Sequence, residues 1–390
     1  MLNSVEPFEP LHFTVSGGNA SVHMETRYTN IPDIQYSIDG GQTWTQWNFT
    51  SVEWPTGRWN NSDVLHLSDG DVVYFVGTNP DGISKFNGSV LYSAIFHFDR
   101  DDGSGMISAL GDVTSLIEPN GEIEELTPYA FASLFQGCRK LISAPTLRAT
   151  NLSEHCYDSM FEGCNNLTVA PKLPATRMAA GCYAEMFKGC TSLVSIQEEL
   201  PATKLASNCY NGMFNGCTSL AIAPSLPATD LTGCTSCYQD MFRGCTSITR
   251  GQELPATSLE QQCYMRMFMG CSSLEIPSEL PAETLKIGCY YQMFGSCTSL
   301  SYAPILSAPL LVQDCYGAMF YNCTNLSYIA CLATDISAAS CTASWVYNVP
   351  SSGGSIVGTG TFLKAASMTN WTNGEDGIPY GWTVQNAQSQ

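Results

Sequence analysis

A repeat of about 26 residues runs through the middle of the chain and sets the strongest limit on its fold. The repeats follow the pattern C-Y-x-x-M-F-x-G-C-T-S-L and then L-P-A-T-x-L with substitutions at single positions, and the first repeat is degenerate, with Ala130 and Leu134 in place of Cys and Met. A fixed period in this range is typical of proteins whose repeats cannot bury their apolar face alone and must stack on their neighbours. The second cysteine of the pattern falls at Cys138, Cys164, Cys190, Cys217, Cys245, Cys271, Cys297 and Cys323.

Apolar residues hold fixed places in every repeat. A phenylalanine stands three residues before each of these cysteines. We predict that the phenylalanines and cysteines together form the buried core of the stack. The predicted core residues are Phe161, Phe187, Phe214, Phe242, Phe268, Phe294, Phe320, Cys164, Cys190, Cys217, Cys245, Cys271, Cys297 and Cys323.

The first part of each repeat predicts a short helix. Cys156, Met160 and Cys164 are four residues apart, so on a helix they share one apolar face. Gly163 stands where this helix would end, because glycine accepts the left-handed conformation there. The leucines that follow bracket a short predicted strand.

The residues before the repeats are typical of β-structure. Residues 34–38 and 43–47 alternate around a turn that begins at Asp39, which is a hairpin signal. Apolar and aromatic segments at 72–76 and 95–98 predict two further strands. Turn signals at short intervals indicate an Ig-like sandwich.

Together these patterns predict a β-rich α+β protein. Its predicted parts are an N-terminal Ig-like β-sandwich over 1–117, a junction over 118–128, a leucine-rich-repeat solenoid of about eight 26-residue units over 129–349, and a C-terminal cap over 350–390.

The repeat motifs match a known family. The alternation of C-Y…F-x-G-C-T-S-L with L-P-A-T-x-L resembles the BspA-type leucine-rich repeats of Bacteroidales surface proteins. It is similar above all to versions encoded by gut Bacteroidetes and their crAss-like phages, which tend to carry an Ig-like module in front. The tail, from Gly360 through Trp371 to Val384, resembles the tails of these proteins. The resemblance covers about residues 129–385 and implies an adhesion or recognition protein without catalytic residues.

Charge and hydropathy exclude several classes of partner. The formal net charge is −19 and no cluster of Lys or Arg offsets it, so we predict no binding to nucleic acid. The sequence contains no run of about 18 apolar residues, so we predict no membrane span. The first residues, MLNSVEPFEPLHFT, lack the basic and apolar segments of a secretory signal, so we expect either that a preceding segment has been removed or that the protein is not exported by that route.

The 18 cysteines all lie between Cys138 and Cys341. Equivalent cysteines in neighbouring repeats would lie about 4.8 Å apart, which is close enough to form disulfides. A ladder of equal neighbours offers no unique pairing, however, and free cysteine is among the most buried residue types. We therefore predict reduced thiols stacked in the core, as suits a protein assembled in a reducing cytoplasm.

The sequence holds few groups that indicate chemistry. Cys234 and Cys237 form the only C-x₂-C pair, and it lacks the second pair or the histidines of a zinc site. His155 precedes Cys156, and a Cys–His pair is typical of a catalytic nucleophile and its base, but later repeats carry the same cysteine without histidine. The sequence has no G-x-S-x-G, H-E-x-x-H or P-loop motif. We predict no metal site, no cofactor and no catalytic residue.

Two surfaces are candidates for ligand binding. One is aromatic, because exposed tryptophan stacks on sugars or anchors a protein partner; the alternative is packing within the β-region. The other is the strand face of the repeats, where two tyrosines 26 residues apart should lie side by side; the alternative is that they cover the edge of the core. The candidate residues are Trp44, Trp47, Trp54 and Trp59 on the first surface and Arg250, Tyr302 and Tyr328 on the second.

These observations predict a non-enzymatic surface recognition or adhesion protein. More narrowly, they predict a head fibre, tail fibre or capsid decoration of a gut Bacteroidetes phage, assembled in the host cytoplasm and displayed on the virion. One end would bind other virion or surface proteins, the other a host or environmental glycan or protein, and a homo-oligomer is compatible with this plan. Two alternatives stay open: a BspA-type adhesin on a Bacteroidales cell surface, and a glycan-active enzyme, for which the sequence fixes no carboxylate pair.

Overall fold

The protein is β-rich. The computed structural model describes residues 8–27, 30–54, 57–98, 103–121, 123, 125–196 and 199–388, and the only helix in this part of the chain is the 3₁₀-helix Val113–Leu116. The chain forms two compact units: Met1–Ala175 with Met186–Glu198, and Thr176–Glu185 with Glu199–Gln390. The predicted boundaries after residues 117, 128 and 349 stay predictions.

The first unit holds most of the strands. They are β1 (His12–Ser16), β2 (Ala20–Arg27), β3 (Ile34–Ser37), β4 (Thr45–Gln46), β5 (Phe49–Trp54), β6 (Gly57–Ser62), β7 (Leu65–Leu67), β8 (Val72–Gly77), β9 (Lys85–Phe86), β10 (Leu91–Tyr92), β11 (Ala94–His97), β12 (Met106–Leu110), β13 (Leu141–Ser143), β14 (Val169–Ala170) and β15 (Ser195–Ile196).

These strands form two main sheets. The larger has the order β13-β12-β1-β8-β3-β4, and the second has the order β11-β2-β6-β5 with β7 also paired to β2. The antiparallel pair β3–β4 confirms the predicted hairpin, with Gln35 opposite Gln46 and Tyr36 opposite Thr45. The segments at 72–76 and 95–98 also form strands, β8 and β11, as their composition predicts.

Aromatic side chains from the two sheets meet in a common core. Phe13 on β1 and Phe75 on β8 contact Phe96 on β11, with ring centroids 5.0 and 5.6 Å apart. Trp47, which follows β4, packs on Phe75 at 5.2 Å. Rings at these separations contribute both buried area and favourable edge and offset contacts.

The larger sheet continues into the first repeat. Strand β13, which belongs to that repeat, pairs in parallel with β12. The Phe96 amide donates to the Leu134 carbonyl at 2.9 Å, and the Phe96 ring stacks on Phe135 at 5.4 Å. The stack continues through Phe161 and Phe187 at 5.4 and 5.5 Å. Within this unit, therefore, the β-region and the first repeats share one aromatic core.

The predicted repeat helix is wrong, and with it the α part of the predicted fold class. The segment from residue 154 to residue 163 is a run of tight turns instead. Met160 donates its amide hydrogen to the Tyr157 carbonyl at 3.2 Å, and Glu162 donates to Ser159 at 3.1 Å. Every fourth residue is left-handed, as at Ser159 (φ 55°) and Gly163 (φ 74°), which a helix does not allow.

The remaining amides explain why turns replace the helix. Phe161 donates to the Met186 carbonyl at 2.9 Å, and Gly163 donates to Lys188 at 2.8 Å, so alternate amides bond to the next repeat. An α-helix would use these amides internally and leave none for the neighbour. The turn run also repeats every four residues, so it buries the same side chains that the helix was predicted to bury.

The second unit repeats this arrangement. Phe242, for example, donates to Met267, and Phe268 donates to Met293, both at 2.9 Å. Its strands are β16 (Tyr302–Leu306), β17 (Tyr328–Cys331), β18 (Thr361–Lys364) and β19 (Thr383–Asn386), which form a parallel sheet in that order.

Backbone pairing between repeats places identical side chains in columns. In the second unit the rings of Phe214, Phe242, Phe268, Phe294 and Phe320 stack at 5.7–6.0 Å. All fourteen predicted core residues are buried. Six of the cysteine thiols have a specific role, because they donate to the phenylalanine carbonyl of the preceding repeat at 3.0–3.1 Å. They are Cys164, Cys190, Cys245, Cys271, Cys297 and Cys323.

Tryptophan closes the second unit's ring column. Phe320 donates its amide to the Trp345 carbonyl at 2.8 Å, and the Trp345 ring lies 6.1 Å from the Phe320 ring. The Trp345 indole N–H donates to the Gly377 carbonyl at 2.8 Å, and its far face stacks on Trp371 at 5.4 Å. The larger indole therefore covers the last phenylalanine and is itself anchored to the tail.

We predict that Phe268→Ala lowers the free energy of unfolding by about 3–5 kcal/mol, because it leaves a cavity within a close-packed column. Phe86→Ala is the matched control, since Phe86 is 44% exposed. Denaturant unfolding followed by circular dichroism measures both. Equal shifts for the two variants would contradict a continuous buried ring column.

Candidate functional site

An exposed column of varied residues runs along the second unit. It occupies the place five residues after the second cysteine of each repeat. Arg250 forms a parallel bridge with Ile276, and Tyr302 pairs with Tyr328 in the register of β16 and β17. The two tyrosines therefore lie side by side. The exposed members are Ile222, Arg250, Ile276, Tyr302 and Tyr328.

A groove opens beside this column. It has a volume of about 660 Å³, and we call it the Arg250 groove. A second recess of about 480 Å³, lined by Tyr302, adjoins it, because Ile276 lines both. The lining of the Arg250 groove includes Ile222, Arg250, Gln252, Glu253, Ile276, Ser278 and Glu279.

Two polar side chains of the Arg250 groove lack partners. The amide nitrogen and oxygen of Gln252 and the hydroxyl of Ser278 are buried, and within the described residues none has a hydrogen-bond partner. Ser278 as a whole is only 2% exposed. Burying such a group without a partner costs about 1–3 kcal/mol, so this arrangement lowers the stability of the folded chain.

The repeat register shows how unusual these two residues are. They stand seven residues after the second cysteine, where four other repeats carry the buried prolines Pro145, Pro171, Pro224 and Pro304 and one carries Gln197. Sequence reasoning missed Gln252 and Ser278. The replacement of a buried proline by a polar residue in two successive repeats is the signal that would have found them.

Glycine brings two neighbouring segments of the Arg250 groove close together. The Gly251 amide donates to the Ile276 carbonyl at 2.8 Å. A Cβ atom at Gly251 would lie 2.3 Å from the Ser278 hydroxyl oxygen. Any side chain there would displace Ser278, so the glycine is required for this geometry.

The charge around the groove is negative on balance. Glu253 and Glu279 line the Arg250 groove, and Glu275 lines the adjoining recess. Arg250 is the single cation among the lining residues, and it forms no ion pair within the described chain. Three carboxylates outweigh one guanidinium, so the site repels anionic ligands. The N–H donors of the Arg250 guanidinium are not used in an ion pair with any described residue.

The predicted tryptophan surface is only partly accessible. Trp47 is 1% exposed and donates its indole N–H to the Asp63 carbonyl at 2.8 Å, so it is a core residue and its prediction as a ligand contact is corrected. Trp44 is half-buried. Trp59 is half-buried with the Arg27 guanidinium 4.5 Å over its ring. The side chain of Trp54 lies outside the described residues.

The histidine next to a repeat cysteine pairs elsewhere. The His155 ring nitrogen Nδ1 lies 2.8 Å from an Asp158 oxygen, and the ring stacks on Tyr129 at 5.0 Å. The hydrogen bond with Asp158 raises the pKa of His155. The neighbouring Cys156 is fully buried. Within the described residues, no group of three or more His, Cys, Asp or Glu is placed to hold a metal ion.

Comparison with known protein families, curated proteins and solved structures finds no match for this chain. Among the described residues, no helix is both long enough and apolar enough to span a membrane.

We predict that the native cysteines react slowly with thiol reagents. Burial raises the pKa of Cys263, Cys271 and Cys323 to about 12, and the thiolate is the reactive form. Alkylation near neutral pH followed by intact-mass analysis tests this, with the denatured protein as the control. We expect most of the 18 cysteines to react only after denaturation. Fast labelling of several native thiols, or a mass that indicates seven or more disulfides, would contradict it.

Proposed function

We propose that this chain is a non-enzymatic recognition protein that displays a binding surface on stacked repeats. The observation that carries the proposal is the Arg250 groove with its exposed column, because side chains that are free to vary lie beside a rigid buried core. Stacked-repeat proteins use such extended surfaces for recognition. Ligand contacts would come from Arg250, Tyr302 and Tyr328.

We also propose the finer fold: BspA-type leucine-rich repeats that form a solenoid behind an Ig-like module. Hydrogen bonds and ring columns between successive repeats within each unit support the solenoid. Two sheets with a shared aromatic core support the sandwich. The tail supports a cap, because β18 and β19 extend the repeat sheet.

The site of action that we propose is the surface of a phage virion. Two observations support it: the repeat sequences resemble those of phage-encoded surface proteins, and the core uses thiols as hydrogen-bond donors. Oxidation would remove these donors, so assembly in a reducing cytoplasm suits the fold. One end of the chain would attach to the particle, and the repeat surface would contact the host.

We predict saturable attachment of the labelled, purified protein to Bacteroidales cells without release of soluble sugar. Ile222→Lys should weaken attachment severalfold, because it places a charge in the groove. Val357→Lys is the control, since Ile222 is 81% and Val357 84% exposed. Absence of attachment across a panel of strains, or release of soluble sugar, would contradict the proposed function.

The proposed location has its own test. We expect mass spectrometry of density-purified virions to find this chain together with capsid or tail proteins. If the chain occurs in the cell-envelope fraction of uninfected bacteria and not in virions, it is a cellular adhesin and the virion assignment is wrong.

A further inference from the structure

We propose that the Arg250 groove binds a neutral oligosaccharide. This inference rests on the proposed recognition function and names its ligand class. Four features of the groove carry it: unpartnered polar groups, apolar walls, a net negative rim and adequate size.

The polar groups match the hydroxyls of a sugar. The Gln252 amide offers donors and an acceptor, and the Ser278 hydroxyl can both donate and accept. Neither has a partner in the described part of the chain. Adjacent hydroxyls of a sugar need a donor and an acceptor side by side, which one amide provides. The amide atoms are shielded in the ligand-free chain, so binding requires a side-chain rotation of the kind common at binding surfaces.

The walls of the groove match the apolar faces of a sugar ring. Ile222 and Ile276 are exposed on either side of Arg250 in the column. Tyr302 is 40% exposed beside the adjoining recess, where its ring can pack on the C–H face of a further sugar unit. Apolar walls around a few polar groups are typical of small-molecule sites.

The charge favours a neutral ligand over an anionic one. Glu253, Glu275 and Glu279 surround the site, and among the described lining residues Arg250 is the only opposing charge. An acidic polysaccharide would meet like charges along the rim. Arg250 would instead donate hydrogen bonds to neutral hydroxyls.

The dimensions fit an oligosaccharide better than a peptide strand. The volume of about 660 Å³ lies within the usual range of ligand pockets, and the recess beyond Ile276 extends it. A peptide that adds as a strand requires free backbone groups at a sheet edge. Here the backbone already pairs between repeats, as from Gly251 to Ile276 and from Glu275 to Thr249.

Calorimetric titration of the full chain tests the inference. The probes are hexasaccharides of neutral glucans, mannan and xylan, with hexagalacturonate as the anionic comparison. We expect at least one neutral probe to bind and hexagalacturonate to bind more weakly. Gln252→Leu and Tyr302→Ala should each weaken binding by about tenfold or more, because ligand hydrogen bonds or ring contacts are lost. Tyr347→Ala, at a tyrosine that is 39% exposed, should leave affinity unchanged.

A stability measurement separates a binding role from a structural one. If the Gln252 amide is held for a ligand, Gln252→Leu should raise the denaturant midpoint of the free protein while it weakens binding. A lower midpoint would show that the amide supports the fold, and would overturn the inference.

The outcomes also separate this inference from the proposed function. If cells bind the chain but no neutral hexasaccharide does, and Tyr302→Ala attaches normally, the sugar inference is overturned and the recognition function stands. Loss of attachment after protease treatment of the cells would assign the groove to a protein ligand and overturn it too. If neutral sugars bind but cells do not, the inference stands and the recognition function fails.

Discussion

The structure of the repeats depends on two alternating sets of backbone amide hydrogen bonds. Within a repeat, alternate amides close tight turns, while those between them bond to carbonyls of the next repeat. Because nearly all polar backbone groups in a protein interior need partners, this alternation satisfies the turns and joins the repeats at once. It requires left-handed residues at every fourth position, such as Arg266 (φ 55°) and Gly270 (φ 78°).

In-register pairing explains the composition of the core. Each side chain lies against its equivalent in the next repeat, so phenylalanine packs on phenylalanine and tyrosine on tyrosine. The cysteines fill the remaining space, and their thiols donate hydrogen bonds to backbone carbonyls. A methyl group in place of the thiol could not donate these hydrogen bonds. A rigid core of this kind holds its exposed positions at fixed spacing, and those positions are free to differ.

The spacing of residues predicted much of this arrangement, but it did not predict the backbone. The 26-residue steps placed Phe242 beside Phe268 and Tyr302 beside Tyr328, because equivalent positions stack whatever the local conformation. They did not distinguish a helix from a four-residue turn run, since both bury Cys156 and Met160. The prediction that Trp47 contacts a ligand was wrong because the burial of Trp47 depends on contacts with Phe75 and Asp63, which are remote in sequence.

The amide ladder is best tested by scalar couplings across hydrogen bonds. In a protein labelled with ¹⁵N-phenylalanine and ¹³C′-methionine, the structure predicts couplings from Phe135, Phe161, Phe214, Phe242, Phe268 and Phe294 to Met160, Met186, Met241, Met267, Met293 and Met319, respectively. Each pair lies in neighbouring repeats. Helical repeats would instead bond Phe268 to the carbonyl of Tyr264, four residues back, and would show none of these couplings. That result would contradict a fold built from tight turns joined by hydrogen bonds between repeats.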